Sequence, residues 1–162
     1  MTTTTTPYQT ISQHGFANVL LNIDTNQKSL NAEKIIEAGE VISFFNANET
    51  FTHPTYLTVQ VGTNKHITLM PEFLQYINHS CNPNVFFDTT SMQLVCLKTI
   101  IIGEELGFFY PSTEWEMTQQ FVCNCGSANC LQLIQGAAYL SSEVAGQYRF
   151  TDFIKQQLLS QK

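Results

Sequence analysis

Three cysteines, Cys123, Cys125 and Cys130, stand in a C-x-C-x4-C arrangement with Gly126 inside it. Sulfurs this close along a chain can wrap one ion, and glycine gives the connecting loop its turn freedom. A closed tetrahedral zinc site needs four ligands. Histidine is absent after His79, so a fourth ligand must come from earlier in the chain, most simply Cys81 or Cys96. Cys96 sits in the apolar run QLVCL, where a buried thiol behaves as a small hydrophobe. Cys81 sits in the polar segment NHSCNPN and is the better candidate. An ion held by Cys81, Cys123, Cys125 and Cys130 would close a long loop, and the order of the tail would depend on the metal.

Asn78-His79-Ser80-Cys81-Asn82-Pro83-Asn84 concentrates side chains that bond to backbone groups. Two chemistries compete there: a cysteine or serine nucleophile beside His79, or a polar scaffold for a ligand. Neighbours in sequence rarely meet with the angles a nucleophile and base require, and a metal-bound Cys81 excludes the first. A second segment, Gly103-Glu104-Glu105-Leu106-Gly107-Phe108-Phe109-Tyr110, ends an aromatic run on a tyrosine. Taken alone, that run suits a core.

The elements that must position these residues are short. Apolar or alternating stretches predict strands over 16–23, 41–45, 56–61, 66–69, 85–87 and 93–97. Pro71 opens a short helical stretch over 71–77, and 78–84 is expected to be irregular. Residues 1–9 are expected to be a loose polar lead-in. Phe150, Phe153, Ile154, Leu158 and Leu159 have near-helical spacing, predicting a helix within 141–161. The fold class is therefore mainly β with a helical tail. The expected division is a flexible lead-in over 1–15, one domain over 16–120, a zinc-binding segment over 121–140 and a helical tail over 141–162.

With 162 residues and 43% apolar content, including 12 Phe, the chain can bury a modest core. Its 12% charged residues are about half the usual share of roughly 25%. Seven Lys and Arg scattered through a chain of net charge −6 make a poor nucleic-acid footprint, so no nucleic-acid partner is expected. Acidity suits a cationic partner such as a lysine-bearing peptide. No stretch of about 20 apolar residues exists, so no membrane span is expected. Met1 and five threonines lack the basic start and apolar run of an export signal. The expected location is intracellular: cytoplasmic, or nuclear.

NHSCNPN, then GEELGFFY, then C-x-C-x4-C, in that order, resembles the SET-domain lysine methyltransferases with their post-SET zinc module. The resemblance is strong over 71–136 and thinner over 29–70. It implies a β-clip fold of small curved sheets in which the NHSC segment threads under a loop as a pseudoknot. It implies S-adenosylmethionine as methyl donor, Zn2+ on the four cysteines, and a lysine amine of a protein or peptide as acceptor. By resemblance Tyr110 is the catalytic tyrosine and Tyr56 a second tyrosine of the lysine channel. Asn78 and His79 contact the cofactor, with Lys28, Leu30, Tyr110 and Leu133 completing its surroundings. Phe108 and Phe109 add to the channel, and Phe108 occupies the position tied to how many methyls are added. Phe there accompanies di- or trimethylation.

The pattern also breaks. The family's G-x-G cofactor loop corresponds to Gln27-Lys28-Ser29-Leu30-Asn31-Ala32, with no glycine for close backbone approach. Phe109 replaces a small or polar residue, and Gln132 replaces a common glycine. The alternative expectation is a catalytically weak or inactive SET-fold module that binds a peptide.

Overall fold

The computed structural model describes residues 7–161. Among the described residues, thirteen short strands and few helical turns follow from a sequence rich in β-branched and aromatic residues that is interrupted every few positions by Gly, Pro, Asn and Thr. The first sheet is an antiparallel meander of β1 (Tyr8–Gln13), β2 (Ala17–Asn22) and β3 (Lys28–Ala32). Ala17, Val19, Leu30 and Ala32 alternate inward and are fully or nearly fully buried.

Strands β4 (Val41–Phe44), β10 (Gln93–Cys96) and β9 (Val85–Asp88) form a second sheet in that order. A third contains β5 (Asn46–Phe51), β7 (Lys65–Met70) and β6 (Val59–Gly62). Two minimal pairs complete the β structure. One is the parallel pair β8 (Asn78–His79) with β11 (Gly107–Phe108), the other the antiparallel pair β12 (Phe121–Val122) with β13 (Leu133–Ile134). The tail carries α1 (Ser142–Ala145) and α2 (Asp152–Ser160). Among the described residues no helix is long and apolar enough to cross a membrane.

The structure adds strands that the apolar pattern did not predict, β3, β5, β11, β12 and β13, and differs from the sequence-based expectation in further places. Within the expected lead-in over 1–15, Tyr8–Gln13 is a strand, because Thr10 and Ile11 suit a pleated ladder and β2 offers a partner edge; residues 1–6 lie outside the described ones. The strand expected over 56–61 starts only at Val59. The hydroxyl of Thr58 accepts the Thr55 amide at 2.8 Å and donates to its carbonyl at 3.0 Å, closing a turn first. Asn78–His79, expected to be irregular, pair as β8. The tail helix is broken between Ala145 and Asp152, since Tyr148 and Phe150 are drawn toward Phe109. Their rings lie 3.6 Å and 6.4 Å from its ring.

The main core gathers Phe45, Phe87, Leu94, Ile100 and Leu106 between the three sheets, with Phe87 edge-on to both Phe45 (5.4 Å) and Phe108 (4.9 Å). Full burial of each such side chain contributes about 1.5–3 kcal/mol. A second cluster holds the tail: Phe109, Ala137, Phe150 and Ile154 are buried together. A third surrounds Cys81, Cys123 and Ile134.

Gly136 joins the third cluster to the second. Its φ is 116°, and a Cβ there would sit 2.5 Å from the Trp115 carbonyl oxygen. Gly136→Ala is expected to cost at least about 1–3 kcal/mol from backbone strain alone. Thermal denaturation checks it: a melting temperature equal to that of the parent would refute the constraint.

Candidate functional site

The site is assembled around the parallel pair. Asn78 faces Gly107 and His79 faces Phe108. The Ser80 amide donates to the Phe108 carbonyl at 2.9 Å, and Asn84 brackets Gly107, its amide donating to the Gly107 carbonyl (3.1 Å) and its Oδ1 accepting the Gly107 N–H (2.9 Å). Gly107 permits this approach: a Cβ there would lie 3.0 Å from Ser80 Cβ. The two motifs of the sequence, far apart along the chain, thus run side by side.

The Tyr110 N–H donates to His79 Nδ1 at 3.1 Å. That bond assigns the imidazole proton to Nε2, which faces Cys81 Sγ at 3.3 Å. Burial pushes His79 down to about 4, so the ring is neutral. It is ringed by Tyr110, Phe121 and Phe109 at 5.2, 5.6 and 5.7 Å. Both nitrogens being engaged, His79 orients Tyr110 and Cys81.

The sulfurs of Cys81, Cys123, Cys125 and Cys130 all lie within 4.8 Å of one another. Cys81 and Cys123 Sγ are 3.9 Å apart, far from a disulfide. Zn–S bonds of about 2.3 Å in a tetrahedron require sulfurs about 3.8 Å apart, so the set fits such an ion. Cys96 stays in the main core, 3.0 Å from the Lys98 carbonyl. Burial raises the Cys81 thiol and pushes Cys123 up to about 11. At Cys125 burial also pushes upward, but hydrogen bonds with Ser127, and then with Cys81 and Cys123, outweigh it and bring the thiol to about 6. A cation is what would ionise the buried pair. The tail closes over this cluster: the Leu131 amide donates to Cys81 Sγ (3.4 Å), while Asn129 Nδ2 (3.0 Å) and the Tyr148 hydroxyl (2.7 Å) donate to the Cys81 carbonyl.

On the other side of Tyr110 lies a cavity of ≈ 620 Å³. Its wall is aromatic, from Phe87, Phe108, Tyr110 and Phe121, and Tyr56 lines it with 90% of its surface exposed. Phe108 and Tyr110 rings are 4.6 Å apart. Burial, then the charges of Glu114 and Glu105, pushes Tyr110 up to about 12, so its hydroxyl keeps its proton; it makes a long contact of 3.5 Å to the Ile77 carbonyl.

The same cavity is lined by Glu114, a buried carboxyl. Its Oε2 accepts from the Thr113 hydroxyl (2.6 Å) and the Gln60 amide (3.1 Å). Burial pushes it up to about 7, partly offset by those two bonds. Sequence reasoning missed Glu114, since nothing in PSTEWE separates it from a surface acid such as its neighbour Glu116. Phe121 and Tyr148 were missed as well, because their roles come only from chain closure.

The remaining expected site residues divide. Asn78 Nδ2 donates to the Lys28 carbonyl (2.9 Å) and to Glu105 Oε1 (3.3 Å), and Lys28 Nζ lies 4.9 Å over the Tyr76 ring. These make one polar surface next to His79. Leu133 is 43% exposed beside the cysteines on β13. The Leu30 side chain is fully buried in the main core and its carbonyl accepts from Leu106 N–H at 2.8 Å. Alternation along β11 and the following residue turns Phe109 away from the cavity into the tail cluster, stacked on Tyr148.

Comparison with known proteins places this arrangement. Residues 18–111 match the SET domain. Over 125 residues the chain is 38% identical to methyltransferase flvH of Aspergillus flavus, covering 76% of this chain and 70% of that protein. Over 95 residues it is 30% identical to an H3 lysine-36 specific histone-lysine N-methyltransferase of Schizosaccharomyces pombe, covering 55% of this chain but only 12% of that protein. The fold resembles the crystal structure of the methyltransferase domain of human histone-lysine N-methyltransferase SETMAR with a TM-score of 0.51 at 15% identity, covering 80% of this chain and 58% of that one.

The buried Glu114 predicts a pH dependence of stability. A carboxyl whose folded-state pKa is raised favours the native state while protonated. That advantage is complete below about 4.5 and lost as pH rises past about 7. Glu114→Gln, neutral throughout, should therefore gain stability relative to the parent between pH 5 and 8, on the order of 3 kcal/mol for a shift of this size. Paired thermal melts across that range test it; a difference that does not grow with pH would refute the burial penalty.

Proposed function

The chain belongs to the SET-domain family, and from that premise we propose that it transfers a methyl group from S-adenosylmethionine to the side-chain amine of a lysine in a protein or peptide. The methyltransferase relatives support S-adenosylmethionine-dependent chemistry. The observation that carries the lysine assignment is the aromatic cavity in which Phe108 and Tyr110 meet, beside the strand pair that holds Asn78 and His79.

When bound, the cofactor's sulfonium supplies an electrophilic methyl. In-line displacement then depends on alignment, which the protein provides. The aromatic wall of Phe87, Phe108, Tyr110 and Phe121 holds a methylammonium by cation–π attraction, about 0.5–2 kcal/mol, and disfavours the charged amine by excluding water. The Tyr110 hydroxyl, neutral and tethered through its backbone to His79, orients the amine. Tyr56 guides the side chain in at the exposed end. Asn78, His79, Lys28 and Leu133 form the cofactor surface, and Leu30 serves it only by shaping β3. Cys81, Cys123, Cys125 and Cys130 hold zinc, fixing residues 121–140 over residues 16–120. The tail over 141–162 buttresses that segment through Tyr148.

One feature favours a second reading, a peptide-binding module without turnover. In place of the G-x-G loop, Lys28–Ala32 is a paired strand with a core leucine. Calorimetry with S-adenosylmethionine separates the two, since binding followed by turnover excludes the module.

A cell extract incubated with the protein and methyl-labelled S-adenosylmethionine, analysed by mass spectrometry, should yield methylated lysine in a discrete acceptor. Tyr110→Phe should lower the rate about 10²-fold, the scale for removing one oriented donor; an unchanged rate would refute its role. Purified protein should carry one zinc per chain by elemental analysis. Cys81→Ser should lose that zinc and melt earlier, and full zinc content in this variant would exclude Cys81 as a ligand.

A further inference from the structure

Lysine methylation poses a proton problem that the residues assigned so far do not solve. The acceptor's ordinary pKa of about 10.4 leaves it almost wholly protonated near neutrality, and the ammonium has no lone pair with which to attack. Among the groups lining the cavity, three can titrate: Tyr56, Tyr110 and Glu114. Tyr110 holds its own proton, and a neutral phenol does not take another. His79 does not line the cavity, and its nitrogens are occupied by the Tyr110 N–H and by Cys81. Glu114 is the one carboxyl in the wall. Both of its hydrogen bonds fall on Oε2, and among the described residues none reaches Oε1. The backbone fixes it relative to Tyr110, since the Glu114 N–H donates to the Tyr110 carbonyl at 3.1 Å.

We infer that Glu114 is the proton acceptor for the substrate amine within this cavity, an assignment that rests on the lysine-methylation reading. The Glu114 carboxylate takes one proton from R–NH3+, giving R–NH2 and a neutral carboxylic acid. The amine lone pair then forms the N–C bond as the methyl's S–C bond breaks, and that electron pair leaves with sulfur. The product is R–NH2CH3+, and the proton on Glu114 passes to water when the site reopens. A further methylation repeats the proton transfer from the methylammonium. A carboxyl of ordinary acidity would be a poor base here; the burial that lifts Glu114 to about 7 brings it into the range where a general base works best near neutral pH.

Other titratable groups lie near: Tyr56 and Tyr110 in the cavity, His66 paired with Gln60 and backed by His53, and Glu116 and Tyr139 on the segment packed over the Glu114 backbone. The test is therefore a difference between the parent and Glu114→Gln, which retains the shape and leaves those groups in place. The substrate is the peptide that takes the label in the extract experiment. At pH 7 the variant should lose about 10²-fold or more in kcat with little change in KM. The deficit should shrink as pH approaches about 10, where the amine loses its proton unaided. A deficit equal at all pH values, or one confined to KM, would overturn the assignment. Infrared difference spectra of the cofactor-free protein supply a readout without turnover. Adding n-butylamine hydrochloride, a mimic of the lysine side chain, at pH 8 should raise a protonated-carboxyl band in the parent that Glu114→Gln lacks; no such band would count equally against it. Thr113→Val provides a second variant. Removing the hydroxyl on Oε2 should move the acid limb of the kcat profile to higher pH, and an unmoved limb would refute the role of Glu114. Absence of turnover by the parent would instead sink the lysine reading and this inference with it, whereas parent turnover with an unaffected Glu114→Gln sinks this inference alone.

Discussion

Two rungs of parallel ladder hold this molecule's chemistry together. Asn78 beside Gly107 and His79 beside Phe108 bring segments nearly thirty residues apart into register, and so short a pairing survives only because its surroundings specify it. Asn84 brackets Gly107 from one side and the Ser80 amide bonds the Phe108 carbonyl from the other. A side chain at position 107 would press on Ser80, its Cβ 3.0 Å from the Ser80 Cβ. A slip of one residue would exchange the faces of Phe108 and Phe109 and destroy two clusters at once.

Three consecutive aromatic residues then serve three different environments. Phe108 packs on Phe87 at the cavity wall. Phe109 is buried in the tail cluster, stacked on Tyr148. Tyr110 stands between the cavity and the cysteines, its backbone tied to His79. The neutral imidazole links them further: one nitrogen steadies Tyr110, and the other faces a cysteine sulfur. Cavity wall, cysteine cluster and tail are therefore mechanically coupled through a few bonds, and disturbing one changes the geometry of the rest.

Much of this was legible from residue types and spacing. The C-x-C-x4-C spacing announced a cluster, and the contrast between QLVCL and NHSCNPN separated the buried Cys96 from the converging Cys81, because apolar alternation marks a strand interior. Short strands and a helical tail followed from periodicity. The rest required three dimensions. Leu30 and Phe109 carry no local mark that tells a core face from a ligand face; alternation fixes that they differ from their neighbours, but not which side holds the cavity. Glu114 looks like any surface acid until Gln60, more than fifty residues away, supplies its partner. The tail helix broke because packing of Tyr148 and Phe150 on Phe109 outweighed local helix propensity, which is a weak bias beside burial of two aromatic rings.

The Tyr148 hydroxyl bonded to the Cys81 carbonyl, with its ring flat against Phe109, has a consequence for how the molecule is made. Every residue lining the cavity precedes Tyr148 in the chain. The clamp is therefore the last of these parts to be synthesised, and its contacts to the Cys81 carbonyl and the Phe109 ring form only after the cavity walls and the four cysteines are already in the chain.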